Sequence, residues 1–233
     1  MISMLLAAML AVQQEEHPFP VFDRDPWGGF GAGSSVTRLT TTGKLRSEET
    51  ITVKAVDKDS KTLTVSRPGK DDQEGALKFI AFTDGLVAPG SGFQQGGKSN
   101  KQVAIGEKRV KALVREFVPT QLALTTWRVT TTSEMPGGIF EIVWKAEDDL
   151  VKSDVTYTMK GFETLELGGV AVDCAKIDMV ATETKKKKRK LEATYWISEK
   201  VPGFLARSRV KDTVDKVTTE TAMDAVKFEA KKP

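Results

Sequence analysis

The sequence predicts a mainly β protein built on one large, curved antiparallel sheet, either a half-barrel or an open barrel or sandwich. Two observations support this fold class. Apolar residues alternate with Thr, Lys and other polar residues along much of the chain, which is typical of strands with one buried and one solvated face. In addition, a strand, a Pro-Gly corner and a second strand occur twice, at residues 124–143 and 191–210.

The internal duplication extends over residues 103–143 and 165–210. Aligned on their tryptophans, the second copy is seven residues longer, because 17 positions separate Val110 from Trp127 and 24 separate Val172 from Trp196. The surplus falls on residues 184–190. Each copy has a Trp in a strand-like run, an acidic residue and a Pro-Gly turn: Trp127, Glu134 and Pro136-Gly137 in the first, and Trp196, Glu199 and Pro202-Gly203 in the second.

The length of 233 residues fits one domain with one core. Residues 1–12 are predicted to be a signal peptide, since residues 2–12 carry no charge and have the length of a signal-peptide apolar region. The absence of a preceding Lys or Arg leaves open a hydrophobic first strand or helix instead. Residues 13–33 are predicted to be an irregular, Pro- and Gly-rich lead-in that is anchored by Phe22, Trp27 and Phe30. Residues 34–229 form the predicted β domain.

The strands follow from period-two patterns. A Thr-rich strand begins near Val36, and two further strands form a hairpin across the turn at residues 57–60. The Gly- and Pro-rich residues 89–100 are predicted to be a mobile excursion. A closing strand is expected at residues 225–229, followed by a loose tail at residues 230–233.

A change of phase is visible in the second copy. Val170, Val172 and Cys174 share one alternation, whereas Ile177 and Met179 follow the other. Such an odd-numbered step predicts a β-bulge or a bend between Cys174 and Ile177.

The run Lys185-Lys-Lys-Lys-Arg-Lys190 supplies much of the small net charge of +3. It is interpreted as the solvated tip of a β-hairpin, where like charges extend into water. A nuclear-targeting or polyanion-binding cluster is the alternative. The chain as a whole is not basic enough to indicate a specific nucleic-acid partner.

The sequence offers little chemistry, so we expect no enzyme and no cofactor. The single cysteine, Cys174, alternates with valines as a buried small hydrophobe does, and the single histidine, His17, lies in the lead-in. No cluster with metal-ligand spacing is present. The glycines at residues 28–33 are not followed by the Gly-Lys-Ser/Thr of a phosphate-binding loop.

The second copy carries short motifs with a family resemblance: Glu166-Leu-Gly-Gly-Val170, Asp173-Cys-Ala-Lys-Ile177, Tyr195-Trp-Ile-Ser198 and Val201-Pro-Gly203. With these motifs the chain resembles bacterial exported β-rich domains of unknown function, which are similar to the half-barrel carriers of the lipoprotein pathway. The resemblance covers about residues 103–228. It implies a curved sheet around an apolar cavity and no catalytic residues.

The leading functional hypothesis is a non-enzymatic binding module, periplasmic or secreted, that holds a lipid-like or other hydrophobic ligand on the concave apolar face of its sheet. Each aromatic residue proposed for that face could instead be an ordinary core residue. The alternative hypothesis is a cell-envelope structural or interaction protein that uses its sheet edges and basic hairpin tip, with at most peripheral membrane contact. The candidate ligand-binding residues are Trp127, Phe140, Trp144, Tyr157 and Tyr195.

Overall fold

The protein is described by a computed structural model for residues 26–57, 60–78, 93–119, 124–135, 138–147, 152–184 and 188–233. These residues form thirteen strands and, within the described ranges, no helix; the predicted β class is therefore confirmed. The strands are β1 (Ser35–Thr42), β2 (Leu45–Val56), β3 (Ser60–Ser66), β4 (Gln73–Lys78), β5 (Phe93–Ile105), β6 (Lys108–Pro119), β7 (Leu124–Thr131), β8 (Ile139–Glu147), β9 (Lys152–Leu167), β10 (Val170–Glu183), β11 (Arg189–Ile197), β12 (Leu205–Val214) and β13 (Val217–Glu229).

All thirteen strands belong to one antiparallel sheet with the order β4-β3-β2-β1-β13-β12-β11-β10-β9-β8-β7-β6-β5. Every pairing among the described strands joins neighbours in the chain, except the pairing of β1 with β13. The chain is therefore a continuous up-and-down meander whose two ends meet in the middle of the sheet. The sheet is open, and its edges are the consecutive strands β4 and β5.

The sheet is curved, as predicted. If it were flat, β4 and β5 would lie about 58 Å apart, from twelve gaps of about 4.8 Å. The chain from Lys78 to Phe93 reaches about 50 Å at full extension, so the two edges must approach one another. The curvature is also visible at Gly168, in the β9–β10 turn: a Cβ atom placed there would lie 3.0 Å from the Val226 carbonyl oxygen on β13, three strands away from β10 in the sheet.

The core lies mainly on one side of the sheet, called here the apolar face. Along β10 the buried residues Ile177, Met179 and Ala181 alternate with more exposed ones, and across the sheet they pair with the buried Tyr195, Ala193 and Leu191 of β11. The opposite side, called the polar face, carries the intervening residues such as Asp178 and Thr194. Period-two alternation thus places the apolar side chains together.

The bulge predicted in the second copy is confirmed. The pairing of β10 with β9 shifts between Lys176 and Ile177. Beyond this point the hairpin buries the other set of alternate positions, including Val172 and Cys174. The end of the hairpin therefore bends across the sheet toward β13 and covers that end of the core.

The two corners of the duplicated unit share the same backbone hydrogen bond between their first and last residues. The amide of Thr132 donates to the carbonyl of Gly138 (2.8 Å), and 66 positions later the amide of Ser198 donates to the carbonyl of Phe204 (2.8 Å). In each corner a hydroxyl of the first residue also accepts from the amide two residues on, at 3.4 Å for Thr132 and 3.5 Å for Ser198. The β-bulges that precede the corners lie 66 positions apart as well, between Thr130 and Thr131 and between Trp196 and Ile197.

This register corrects the alignment of the copies on their tryptophans. With the corners superposed, Trp196 corresponds to Thr130, and Trp127 corresponds to Ala193. From the Ile105 and Leu167 turns to the corners, the second copy is four residues longer, and not seven, because 27 positions separate Ile105 from Thr132 and 31 separate Leu167 from Ser198. Hydrogen bonds of the corner, rather than the large aromatic side chains, define the repeat.

The excursion predicted at residues 89–100 is wrong for residues 93–100, which begin β5. Their Gly, Ser and Gln content has little strand propensity, but backbone pairing with β6 satisfies the polar groups on one side of the strand. The register shifts between Gln95 and Lys98, where Gly96 and Gly97 accommodate a bulge. Residues 89–92 lie outside the described ranges.

The lead-in and the C-terminal tail are held together near the β1–β13 pair. Trp27 and Phe30 are buried, as expected, and the buried Lys61 ammonium donates to both of their carbonyl oxygens. The amide of Gly31 donates to the Lys231 carbonyl (2.8 Å), and the Ser34 hydroxyl accepts from the Lys231 amide (2.9 Å). The tail at residues 230–233 is therefore bonded at Lys231 and not loose. Phe22 and the predicted signal segment lie outside the described residues.

We expect Gly31→Ala to destabilise the protein, because the new Cβ atom would lie 2.2 Å from the Lys232 carbonyl oxygen. The free energy of unfolding should fall by about 1 to 3 kcal/mol in denaturant titrations. Gly29→Ala is the matched control, since an added Cβ there meets no atom within 4 Å. Removal of residues 232–233 should abolish the effect of the Gly31→Ala substitution; an undiminished effect in the shortened chain would contradict the contact.

Candidate functional site

The five aromatic residues predicted to bind a ligand do not form one cluster. Tyr157 and Tyr195 lie in the main core, whereas Phe140 packs against a second, smaller cluster of Met135, Met159 and Ala175. Trp127 and Trp144 are direct cross-strand partners on β7 and β8, and their side chains lie outside the described set.

Tyr157 and Tyr195 fill the apolar face instead of lining an open surface there. Their rings stack with centroids 6.5 Å apart, and only 1% and 6% of the two residues is exposed. Burial raises the pKa of both phenols well above the ordinary value, with the Tyr195 charge contributing to the shift of Tyr157. Both therefore stay neutral near pH 7 and act as packed core side chains.

Phe140 departs from simple alternation because it is the extra residue of the β8 bulge. Ile139 pairs with Thr131 and Glu141 pairs with Thr130, so Phe140 has no partner position on β7. Its half-buried ring packs on the small methionine-containing cluster. The bulge thus separates Phe140 from Tyr157, which alternation alone would have placed on the same face.

An open groove lies over five adjacent strands, β10 to β13 and β1. Its volume is about 670 Å³. Two rows of residues line its sides, and on each strand the two rows are two positions apart. The strand positions between the rows contribute its floor; they are Met179, Ala193, Val210 and Thr221. Alternation places these two rows on the polar face, opposite the core. One row contains Thr41, Asp178, Thr194, Arg209 and Ala222, and the other contains Gly43, Val180, Glu192, Lys211 and Glu220.

The groove walls combine charge with apolar surface. Glu192, Lys211 and Glu220 are successive cross-strand partners, so a cation lies between two carboxylates. A hydrogen bond from Lys190, together with the charges of Lys190 and Lys211, lowers the pKa of the Glu192 carboxyl. Val180 is 43% exposed beside this row. An ionic headgroup and an apolar chain can both find partners here.

The groove is bounded by a row of ionic contacts that crosses β10 to β13. The Trp196 ring lies between two cations, with Lys176 Nζ 5.1 Å and the Arg207 guanidinium 5.6 Å from its centroid. Arg207 Nε donates to Asp224 (2.6 Å), and Arg209 Nη2 donates to both oxygens of Asp224 (2.9 Å each). This row holds the Arg209 side of the groove in a fixed geometry.

Cys174 is fully buried, as predicted, and burial raises the pKa of its thiol to about 11. Among the described ranges no three His, Cys, Asp or Glu side chains come close enough to hold a metal ion. His17 lies outside these ranges. No helix within them is long and apolar enough to cross a bilayer.

The groove residues were missed in the sequence because most of them are ordinary polar residues on amphipathic strands. A usable signal was nevertheless present. The outward positions of β10 to β13 carry mixed charges, as in Asp178, Glu192, Arg209 and Lys211, whereas the outward positions of β1 carry none. That contrast identifies the strands that form the groove, but it does not show that their surface is concave.

Comparison with known proteins gives structural neighbours only. No protein-family model and no curated protein matches the chain. A lipoprotein candidate from Parabacteroides distasonis matches with 12% identity and a TM-score of 0.43, over 90% of this chain and 99% of that one. The hypothetical lipoprotein YmcC from Escherichia coli matches with 14% identity and a TM-score of 0.33, over 94% and 97%. An exported-protein candidate with a YmcC-like fold from Bacteroides fragilis matches with 10% identity and a TM-score of 0.37, over 86% and 99%.

Asp224→Asn should lower the free energy of unfolding by about 1 to 2 kcal/mol at pH 7, because it removes a carboxylate bonded by two arginines. Partial burial alone would raise the pKa of Asp224, but its bonds to Arg209 and Arg207 outweigh burial and hold the pKa below the ordinary value. The stabilisation is therefore complete above the unfolded-state pKa of about 3.9 and is lost as the pH falls through the folded-state value.

Denaturant titrations from pH 7 to pH 2.5 measure this difference. The gap between wild type and Asp224→Asn should close below about pH 4. Asp173→Asn is the control, since exposed Asp173 accepts a single bond from the neutral Thr164 hydroxyl. A gap that is independent of pH would show that the ionic contacts do not stabilise the fold.

Cys174 should resist alkylation in the folded protein. At pH 8 the thiolate fraction is small and the sulfur is buried, so iodoacetamide should label the native chain at least about 100-fold more slowly than the chain in denaturant. Mass spectrometry of timed samples measures both rates. Comparable rates would mean that Cys174 is accessible and reactive.

Proposed function

We propose that the protein is a non-enzymatic, exported binding domain that holds a lipid-like, amphiphilic ligand in the groove over β10–β13 and β1. The groove is the observation that supports this function: a concavity of about 670 Å³ is within the usual range for small-molecule sites. The ligand class is the one expected from the sequence. The proposed position differs, because the centre of the apolar face is filled by Tyr157 and Tyr195.

The charge order of the groove favours a headgroup that carries both signs. Lys211 can bind a phosphate, while Glu220 beside it can bind an ammonium group; Glu192 is already bonded to Lys190. Arg209 is bonded to Asp224 and contributes mainly its aliphatic stem. A zwitterionic headgroup therefore fits this row better than a purely anionic one.

The remaining surface of the groove suits an acyl chain. Exposed Val180 and half-buried Ala222 lie among the lining residues. Such surface gains free energy when it is removed from water, at about 25 cal/mol per Å². A single-chain amphiphile can satisfy the apolar and the charged parts at once.

Export is supported by the uncharged run at residues 2–12. A binding role without catalysis is supported by the state of Cys174, which is buried with a raised pKa, and by carboxylates that are engaged with cations. The small cluster around Phe140 is the second candidate site, because its methionines provide adaptable apolar surface and the ring is only half-buried.

Two substitutions test the groove with a fluorescent lysophosphatidylcholine below its critical micelle concentration. Ala222→Trp should fill the groove, and Val180→Asp should introduce a charge beside the acyl chain, so that each weakens binding at least about tenfold. Val226→Asp is the matched control, because Val226 is a similarly exposed valine outside the groove lining. Fluorescence titration measures the affinities.

The outcomes separate the two candidate sites. Binding that is lost in Ala222→Trp and Val180→Asp but retained in Val226→Asp supports the groove. Binding that survives both groove variants and is lost in Phe140→Ala would move the ligand to the apolar side. No binding to the wild-type protein would overturn the lipid-like ligand itself.

A further inference from the structure

Three neighbouring hairpin tips meet at one end of the sheet. They comprise residues 43–46 between β1 and β2, residues 188–190 at the start of β11, and residues 215–217 between β12 and β13. These ten residues are called here the tip surface. They contain six basic side chains and one acidic side chain, Asp215.

Hydrogen bonds join the tips to one another and to the strands between them. The Asp215 amide donates to the Lys188 carbonyl (3.0 Å), and the Lys188 amide donates to the Asp215 carboxylate (3.3 Å). Arg189 donates twice to Asp212 of β12, at 3.0 and 2.9 Å. On the other side, the Thr42 and Thr221 hydroxyls are 3.0 Å apart, which joins the β1 tip to β13. The tip surface is thus a preformed basic edge.

Two large apolar side chains project from the same edge. Leu45 is 77% exposed and Val217 is 71% exposed, the two highest values among the exposed large hydrophobic residues of the described chain. Each follows directly on a lysine, Lys44 and Lys216. Exposed apolar residues interleaved with cations are the combination that binds the interface of an anionic bilayer, where acyl chains meet charged headgroups.

The backbone at Lys216 gives an independent reason to assign a role to this tip. Asp215 and Lys216 form a two-residue turn in which both have positive φ, 47° and 77°. This turn strongly favours Asn-Gly, and a lysine in the second position is strained. A lysine at a position that prefers glycine points to a function for its charge.

We infer that the tip surface docks the protein onto anionic membranes, with Leu45 and Val217 entering the interface and the surrounding lysines contacting phosphate headgroups. The strands then stand on the bilayer, and the groove of the polar face opens close to it, since Gly43 and Lys211 also line that groove. Docking does not require the groove to be a ligand site. Vesicle binding and ligand binding in solution can therefore fail separately.

Co-sedimentation with vesicles tests the docking, using the full-length chain, pure phosphatidylcholine vesicles and vesicles with 30% phosphatidylglycerol. Because residues 2–12 can bind any bilayer, binding to the neutral vesicles is the baseline for every variant. Lys44→Ala with Lys216→Ala should weaken the partition onto anionic vesicles by about 20- to 30-fold, at about fivefold per cation. Leu45→Ser with Val217→Ser should weaken it by about tenfold or more.

Lys108→Glu with Lys200→Glu is the control, because both residues lie at the opposite end of the sheet. One strand length of about 30 Å exceeds the screening length of about 8 Å in physiological salt. This control should bind vesicles within about twofold of wild type, although it removes more positive charge than the double alanine variant. An equal loss in the control would show that net charge alone acts, and would overturn the assignment.

Lys216→Gly separates docking from folding. It should raise the melting temperature by about 2 to 4 °C through relief of the turn, while it weakens vesicle binding by about fivefold. A variant that is more stable yet binds as wild type would contradict the role of Lys216. Binding to soluble polyglutamate but not to vesicles, with Leu45→Ser and Val217→Ser unchanged, would indicate an acidic polymer as partner and overturn membrane docking.

Discussion

The structure depends on the pairing of β1 with β13. All other neighbouring strands in the sheet are consecutive in the chain, so each of those pairs can form locally across a turn. The β1–β13 pair joins segments about 180 residues apart, from Ser35 with Glu229 to Thr42 with Thr221. Closing so long a loop costs chain entropy, which the ladder and its surroundings must offset. Without this pair, β1 to β4 would be a separate four-stranded meander.

Several contacts reinforce the β1–β13 pair at the end where Ser35 is paired with Glu229. Gly31 and Ser34 bond the backbone of Lys231, and the buried Lys61 ammonium holds the carbonyl oxygens of Trp27 and Phe30. A buried lysine is tolerated here because the carbonyl oxygens replace its water. The lead-in, β3 and the C-terminal tail are thereby tied to one place, beside the second Pro-Gly corner, where Gly203 bonds the Pro26 carbonyl.

The same pairing accounts for the core on one face of the sheet and the groove on the other. Because β1 pairs with β13, the consecutive strands β4 and β5 lie at opposite edges of the sheet. The chain that connects β4 to β5 is too short to join the two edges of a flat sheet. The sheet must curve, and the core fills its apolar side. On the polar side, the strands around β12 and β13 leave the groove, and their hairpin tips align as one basic edge.

Much of this architecture could be predicted from the sequence, because alternation and turn residues act over short distances. The hairpin across residues 57–60, the bulge before Ile177 and the pairing of β10 with β11 all follow from local patterns. The partner of β1 could not be predicted, since pairing at long range leaves no local pattern. The Trp-based alignment failed because the repeated element is a set of backbone hydrogen bonds, which Thr132 and Ser198 can both make. β5 was missed because its Gly- and Ser-rich start takes its structure from β6.

The candidate site was harder to predict than the fold. Five aromatic residues stood out because they are large, yet Tyr157 and Tyr195 serve the core, and a single bulge moves Phe140 away from them. The groove arises from the shape of the sheet, which depends on all pairings at once. The sequence pattern of its residues would be the same if the sheet were flat.

Hydrogen exchange followed by mass spectrometry tests the β1–β13 pairing most directly. If β1 and β13 pair as described, peptides from both strands should exchange slowly and at the same rate as those of strands β9 and β10, as one cooperative unit. Rapid exchange of β1 to β4 as a group, with β5 to β13 still protected, would show that the meander is not joined there and would contradict the account.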